Sequence, residues 1–306
     1  MTKDAAGPPT ATPPGAGQAA GAASSKSKRK RVPYLLLLPG GIWLILFYVI
    51  PMIQLAGVSL QEGSFQTGYE FTWAWQNYTS AFTAFGEHFV RSILYAGTAT
   101  LLALLIGYPL AYAIAFRGGR YRNLLLILVL MPFLTPFLLR TLAWKVILAD
   151  SGWVVGVLQS IGIIAENGRL LATGWAVVAG ITYNFLAFMT LPIYVSLEKI
   201  DPSLIEAAQD LYSNPRTAFR KVTLPLSRAG IVAGTLLTLI PASGDFVNAQ
   251  LLGNPQQLMI GNVIDSRFLR IVDYPTAAAL SFTLMVAILL IVIPYVRAVG
   301  TEDLVA

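Results

Sequence analysis

Of 306 residues, 56% are hydrophobic and only 12% charged, against the quarter or so of charged residues that covers an ordinary soluble domain, so a water-soluble globular protein is excluded. There is no cysteine and one histidine, His88, which excludes a disulfide framework, a thiolate metal site, a catalytic thiol and a clustered histidine metal site. The net charge of +6 leaves two readings, nucleic acid binding or membrane topology, and the positions of the bases decide between them.

Residues 1–33 begin with an Ala, Gly, Pro, Thr and Ser tract that cannot bury enough apolar surface to offset ordering entropy. They end in the run Lys26-Ser27-Lys28-Arg29-Lys30-Arg31. This predicts a disordered cytoplasmic tail, followed by an uncleaved first span because the next apolar run is about twice a signal peptide's core. Six apolar segments reach the length a bilayer requires: Tyr34 to Leu60, Phe89 to Phe116, Leu124 to Leu148, Leu171 to Leu197, Ala229 to Leu252 and Thr276 to Val296. The expectation is an all-α, six-helix membrane domain over 34–298, with 299–306 as a short second tail. With both termini inside, 15 of the 21 bases fall in inner segments, which the positive-inside rule favours. Basicity then reports topology, and nucleic acid is not an expected partner. Every span holds a proline, and each is a candidate hinge, Pro241 foremost because Gly244 and Asp245 follow it.

The inner loop 199–228 is too long for a helix connection and too apolar for a linker. Asp201-Pro202 and Asn214-Pro215 are both helix-start signals. Leu204, Ala207, Ala208 and Leu211 make one stripe, and Ala218, Phe219 and Val222 a second, with Leu224-Pro225 expected to end the second helix. Interleaved acids and bases weaken an interfacial lipid-binding reading and favour a folded knuckle docking in a protein groove.

Glu206-Ala207-Ala208, three residues, Tyr212, nine residues, Val222, one residue and Leu224-Pro225 resembles the EAA loop of permease subunits of type I ATP-binding-cassette importers. The resemblance implies a coupling helix in a cleft of a separate ATPase, with Ala207, Ala208, Leu211 and Phe219 as contacts. The family's glycine is Tyr212 here, which predicts a turn opened or displaced toward Ser213-Asn214, because tyrosine is strained at positive φ. Met131-Pro-Phe-Leu-Thr-Pro136, Leu139-Arg140-Thr141, Tyr183-Asn184, Leu197-Glu-Lys-Ile-Asp-Pro202 and Gly244-Asp-Phe-Val247 are similar to the spermidine/putrescine branch. What the resemblance implies is a bacterial plasma-membrane permease for a small solute. Its implied partners are a second homologous permease, an ATPase dimer that uses ATP and Mg, and an extracytoplasmic solute-binding protein. This chain itself is expected to bind no cofactor or metal and to be no enzyme. It contains no Gly-x-x-x-x-Gly-Lys-Ser/Thr phosphate loop.

Arg140 and Asp245 each lie about 16 residues into outward-running spans, or about 24 Å at the helical rise. They are expected to pair or to share a cavity, and Asp245 could instead attract a cationic polyamine. Trp144, Tyr183 and Asn184 are weaker pathway candidates, because aromatics and amides on spans more often pack or anchor. Trp73, Trp75 and Tyr78 read either as an interfacial belt or as a docking surface for the binding protein. The rival from another class is a self-sufficient secondary transporter or channel working through Asp245 and Arg140.

Overall fold

The computed structural model describes residues 37–165, 167–212 and 214–299. The tail expected over 1–33 and all but the first residue of 299–306 lie outside them. Within the described residues four helices are long and apolar enough to cross a membrane, and the number rises to six with each of two bent helix pairs taken as one span. The bilayer length criterion had marked the same six regions.

Residues up to Leu55 form a unit of their own, a helix in which Trp43 and Phe47 rings lie 4.2 Å apart. This helix, α1, runs Leu37–Ser59. In the larger unit, strands β1 (Gln61–Ser64) and β2 (Gly68–Phe71) pair antiparallel with Gln61 opposite Phe71. Helix α2 (Gln76–Arg117) follows; at about 63 Å by the helical rise it is twice a bilayer core, and its first turns extend beyond the expected span. His88, one residue before the expected second span, is therefore on a helix, 6.1 Å from the Phe85 ring.

The third span is broken. Helix α3 (Arg122–Leu130) continues as a 3-10 turn, Met131–Leu134, and α4 (Phe137–Ile147) leaves at 93°. Thr135 and Pro136 are extended between them, because a residue before proline is driven out of the helical region. After α5 (Trp153–Ser160) comes α6 (Gly174–Glu198), unbroken despite Pro192. Helix α7 spans Pro202–Tyr212 and α8 spans Pro215–Leu226. Helix α8 ends one residue after Leu224-Pro225, close to its expected end, and a π-turn at Phe219–Thr223 shifts the bonding register just before the proline whose donor is missing. The chain bends 64° at Ser227 into α9 (Arg228–Ser243). The expected fifth span to Leu252 stops at Ser243; Gly244–Phe246 is non-helical, and α10 (Val247–Leu252) resumes. Helices α11 (Ile260–Asp265) and α12 (Tyr274–Val299) complete the unit.

Helix α6 is the core element, with Val177, Ile181, Met189, Ile193 and Leu197 fully buried. Helix α2 meets it along Ala96, Ala99, Ala103 and Ala111, small residues that let backbones approach where no hydrophobic drive exists. Helix α9 crosses it through Gly230 and Gly234. A Cβ on Gly230 would stand 2.6 Å from the Pro192 carbonyl oxygen, and one on Gly234 2.8 Å from that of Met189.

Candidate functional site

The two breaks place polar side chains against one another between helices. Past the Gly244–Phe246 break, Asp245 caps α10: its carboxylate accepts from the Asn248 backbone N–H at 2.8 Å and from Asn248 Nδ2 at 2.7 Å. Asn248 Oδ1 in turn accepts from Thr141 Oγ1 on α4 at 3.2 Å and from Asn184 Nδ2 on α6 at 3.1 Å. Asn184 Nδ2 also donates to Thr141 Oγ1 at 3.1 Å. All four residues are buried, so the network joins three spans where an unpaired polar group would be costly.

Arg140 and Asp245 are both buried, yet the expected ion pair is not formed. Among the described residues Arg140 has no carboxylate in ion-pair range. The depth arithmetic assumed straight spans, and the 93° bend invalidates it for Arg140. Its guanidinium instead lies 4.7 Å from the Phe133 ring centroid and 5.7 Å from that of Phe137. A helical side chain leans toward the N-terminus, which carries it back over these rings. Phe133 meets Phe188 at 4.8 Å, and Phe137 meets Phe185 at 6.2 Å. The link to Asp245 runs instead through the next residue, Thr141, which reaches it by way of Asn248. Trp144 and Tyr183 are half-buried and pack edge to face at 5.4 Å, which suits packing at least as well as solute contact.

At the knuckle between α6 and α9 both helix starts are capped as expected: Asp201 Oδ1 accepts from Ser203 N, and Asn214 Oδ1 from Arg216 N, each at 2.9 Å. The Ser203 bond holds the Asp201 carboxyl below the usual carboxylate range. Tyr212 is the last residue of α7 and remains helical, so the turn falls beyond it, as the missing glycine implied; Ser213 is outside the described residues. Leu204, Ala207, Ala208, Leu211, Val222 and Pro225 line a shallow apolar cleft of about 410 Å³. Glu206 and Leu211 are exposed and Leu224 is half-buried. Phe219, which the resemblance implies as an ATPase contact, is half-buried. Its ring packs at 5.7 Å and 5.9 Å on Tyr108 and Tyr112 of α2, and Tyr108 also bonds Ser227 at the 64° bend at 2.9 Å. At the stem, Arg122 pairs with Glu198 and donates to Tyr194, tying α3 to the end of α6.

On the other side, Trp73 and Trp75 are exposed while Tyr78 is tied down by a 2.7 Å bond to Ser59. Asn248, Thr141, Phe133 and Phe137 went unrecognised as site residues in the sequence. A run of three polar positions, Asp245, Asn248 and Gln250, in one apolar segment was the available signal for the first of them.

A family model described as binding-protein-dependent transport system inner membrane component matches residues 103–299. The chain is 41% identical over 257 residues to the spermidine/putrescine transport system permease protein PotB of Haemophilus influenzae, covering 84% of this chain and 90% of that protein. It is 37% identical to PotB of Escherichia coli K12, over 84% and 94% of the two chains. A bacterial alginate ABC transporter, solved in complex with its alginate pentasaccharide-bound periplasmic protein, has a chain that superposes with a TM-score of 0.63 at 23% identity, over 88% of this chain and 94% of that one. That likeness establishes the fold. The chain belongs to the inner membrane component family of binding-protein-dependent importers: it is a multi-pass ABC permease subunit, with a transport role and not an enzymatic one.

Proposed function

We propose that this member of the importer permease family carries polyamines, spermidine and putrescine, inward across the plasma membrane. What carries the reading is that both PotB relatives match along 84% of the chain. It is supported by chemistry, because Asp245 is the one buried carboxylate among the described residues, and a polyamine needs carboxylate, amide oxygen and ring faces along its route. Asp245, Asn184 and Asn248 form the acceptor side of that route, with Arg140, Trp144 and Tyr183 beside it.

In this reading the tails face the cytoplasm and the permease pairs with a second, homologous permease. Two ATPase subunits use ATP and Mg below, and a solute-binding protein docks outside over Trp73 and Trp75. ATPase closure pushes on Glu206, Ala207, Leu211 and Val222. Phe219, seated on α2, passes the push to the bend at Ser227 and so to α9, rocking the bundles. ATP-dependent uptake of labelled spermidine and putrescine by vesicles holding the assembled complex tests this, with Glu206→Lys and Asp245→Asn in parallel. The expected result is uptake lost in both, with ATPase assembly reduced only in Glu206→Lys. Uptake without any ATPase would return the secondary-transporter reading. ATP hydrolysis stimulated by a binding protein with neither polyamine moved would discard the substrate and keep the importer.

A further inference from the structure

Arg140 is the one buried base among the described residues, and it is held quite differently from the carboxylate nearby. Asp245 receives two N–H groups of Asn248, whereas Arg140 Nε and Nη1 have no hydrogen-bond partner and the guanidinium faces two phenylalanine rings. The attraction of two ring faces is well below the solvation a guanidinium gives up on burial. The acceptor side is also incomplete, because Asn184 Oδ1, in a residue 1% exposed, receives no donor. Two unused donors on Arg140, the residue before Thr141, and one unused acceptor on Asn184, within the network, are thus all buried. Phe133 lies before the Thr135-Pro136 break and Phe137 after it, so any change in the 93° bend alters the rings that hold the guanidinium.

We propose that Arg140 is a tethered cation that alternates with the solute's ammonium group at the Asp245 and Asn184 acceptors. In the arrangement seen, the guanidinium is parked on Phe133 and Phe137, and Asn184 Oδ1 together with the Asp245 lone pairs that Asn248 does not use is left to an ammonium. When the bend changes during the ATPase cycle, the guanidinium leaves the rings and pairs with Asp245, displacing the solute so that no bare carboxylate is left buried. This rests on the polyamine reading, since only a cationic solute competes with a guanidinium for a carboxylate. Arg140 is in this sense a release residue, and the prolines of the break supply its hinge.

The test uses the whole importer in proteoliposomes with its binding protein and labelled putrescine. Arg140→Met removes the charge at similar length, and Arg140→Lys keeps a cation. The expected result for Arg140→Met is a maximal uptake rate about tenfold lower, as loss of one release contact worth about 1.4 kcal/mol would give, with KM unchanged and ATP hydrolysis continuing. Arg140→Lys restores most of the rate. A lysine variant that assembles yet imports no better than the methionine variant overturns the proposal, as does normal uptake by Arg140→Met. A second measurement does not depend on the solute. The sequence has no cysteine, so an Arg140→Cys, Asp245→Cys pair can be linked by a short bifunctional thiol reagent with no competing thiol in this chain. Efficient linking in the vanadate-trapped complex and little in the nucleotide-free one is expected; equal linking in both overturns the movement. A wild-type complex that hydrolyses ATP with its binding protein but imports no polyamine sinks the substrate reading, and a state-independent cross-link sinks this one.

Discussion

At Asp245 the polar atoms turn inward, through Asn248 to Thr141 and Asn184 on two other helices; at the knuckle the apolar atoms turn outward, with Leu211 76% exposed and Leu204 49%. Both regions contain a helix capped by an aspartate, Asp245 over α10 and Asp201 over α7. The difference lies in the surroundings. In the membrane no water competes for polar groups, so they must be satisfied within the protein and end up as cross-helix ties. Outside the spans the caps are free to face water, and what remains unpaired is an apolar stripe that gains by meeting another protein. One region therefore ties spans together, and the other leaves an apolar stripe exposed; in the function proposed above, the first passes a cation and the second receives a push.

That contrast is broken most severely from the membrane side. Asn248→Leu removes the side-chain bond to Asp245 and the hub of the cluster, and should cost the permease about 3 kcal/mol or more, given the worth of hydrogen bonds to charged groups. It would be seen as a lower midpoint of thermal unfolding in detergent and less protein in the membrane. If Asn248→Leu is as stable as wild type, the network does not tie the spans. Next is Phe219→Ala, which should lose about 2 kcal/mol from the half-buried ring and its two edge contacts. Its informative readout is coupling: the ATPase stays bound while uptake per ATP hydrolysed falls. Loss of ATPase binding instead would restore Phe219 as a direct contact.

From the knuckle side the expected effects on the permease itself are smaller. Leu211→Ser should leave its thermal midpoint unchanged and weaken ATPase association about tenfold, as loss of one exposed apolar anchor would; pull-down against ATPase concentration measures this. The smallest effect belongs to Asp201→Ala, which removes the cap of α7 and should lower uptake only a fewfold, with Asp201→Asn close to wild type because asparagine caps equally well. The sign of the pH effect follows from the lowered carboxyl. The part of the cap that depends on charge is fully present above the unfolded carboxylate range and is lost as pH falls through the lowered folded value, while the neutral acid still accepts as asparagine does, so the Asp201→Ala deficit should narrow in acid without vanishing. A deficit that does not narrow would show that the charge adds nothing to the cap.

Much of this was legible from residue order because it depends on local rules. Apolar run lengths marked the six membrane regions, Asp201-Pro202 and Asn214-Pro215 marked both knuckle helices, and Tyr212 in place of glycine implied a turn displaced beyond it. Which prolines would break a span was not legible. Pro109, Pro192 and Pro294 lie within continuous helices, while the chain turns 93° at Pro136. The ring is the same in each case, and what differs is whether neighbouring helices hold the segment straight or receive the freed groups. The partners of Arg140 and Asp245 were likewise decided in three dimensions. Charge type and span position brought them together as a pair, but Asn248, three residues along, reached the carboxylate first, and phenylalanine rings on both sides of a bend received the guanidinium. Residue order determines which groups must leave water and roughly where; which of them then meet depends on crossing helices such as α9 on α6, where Gly230 and Gly234 allow backbone contact, and that is a property of the assembled fold.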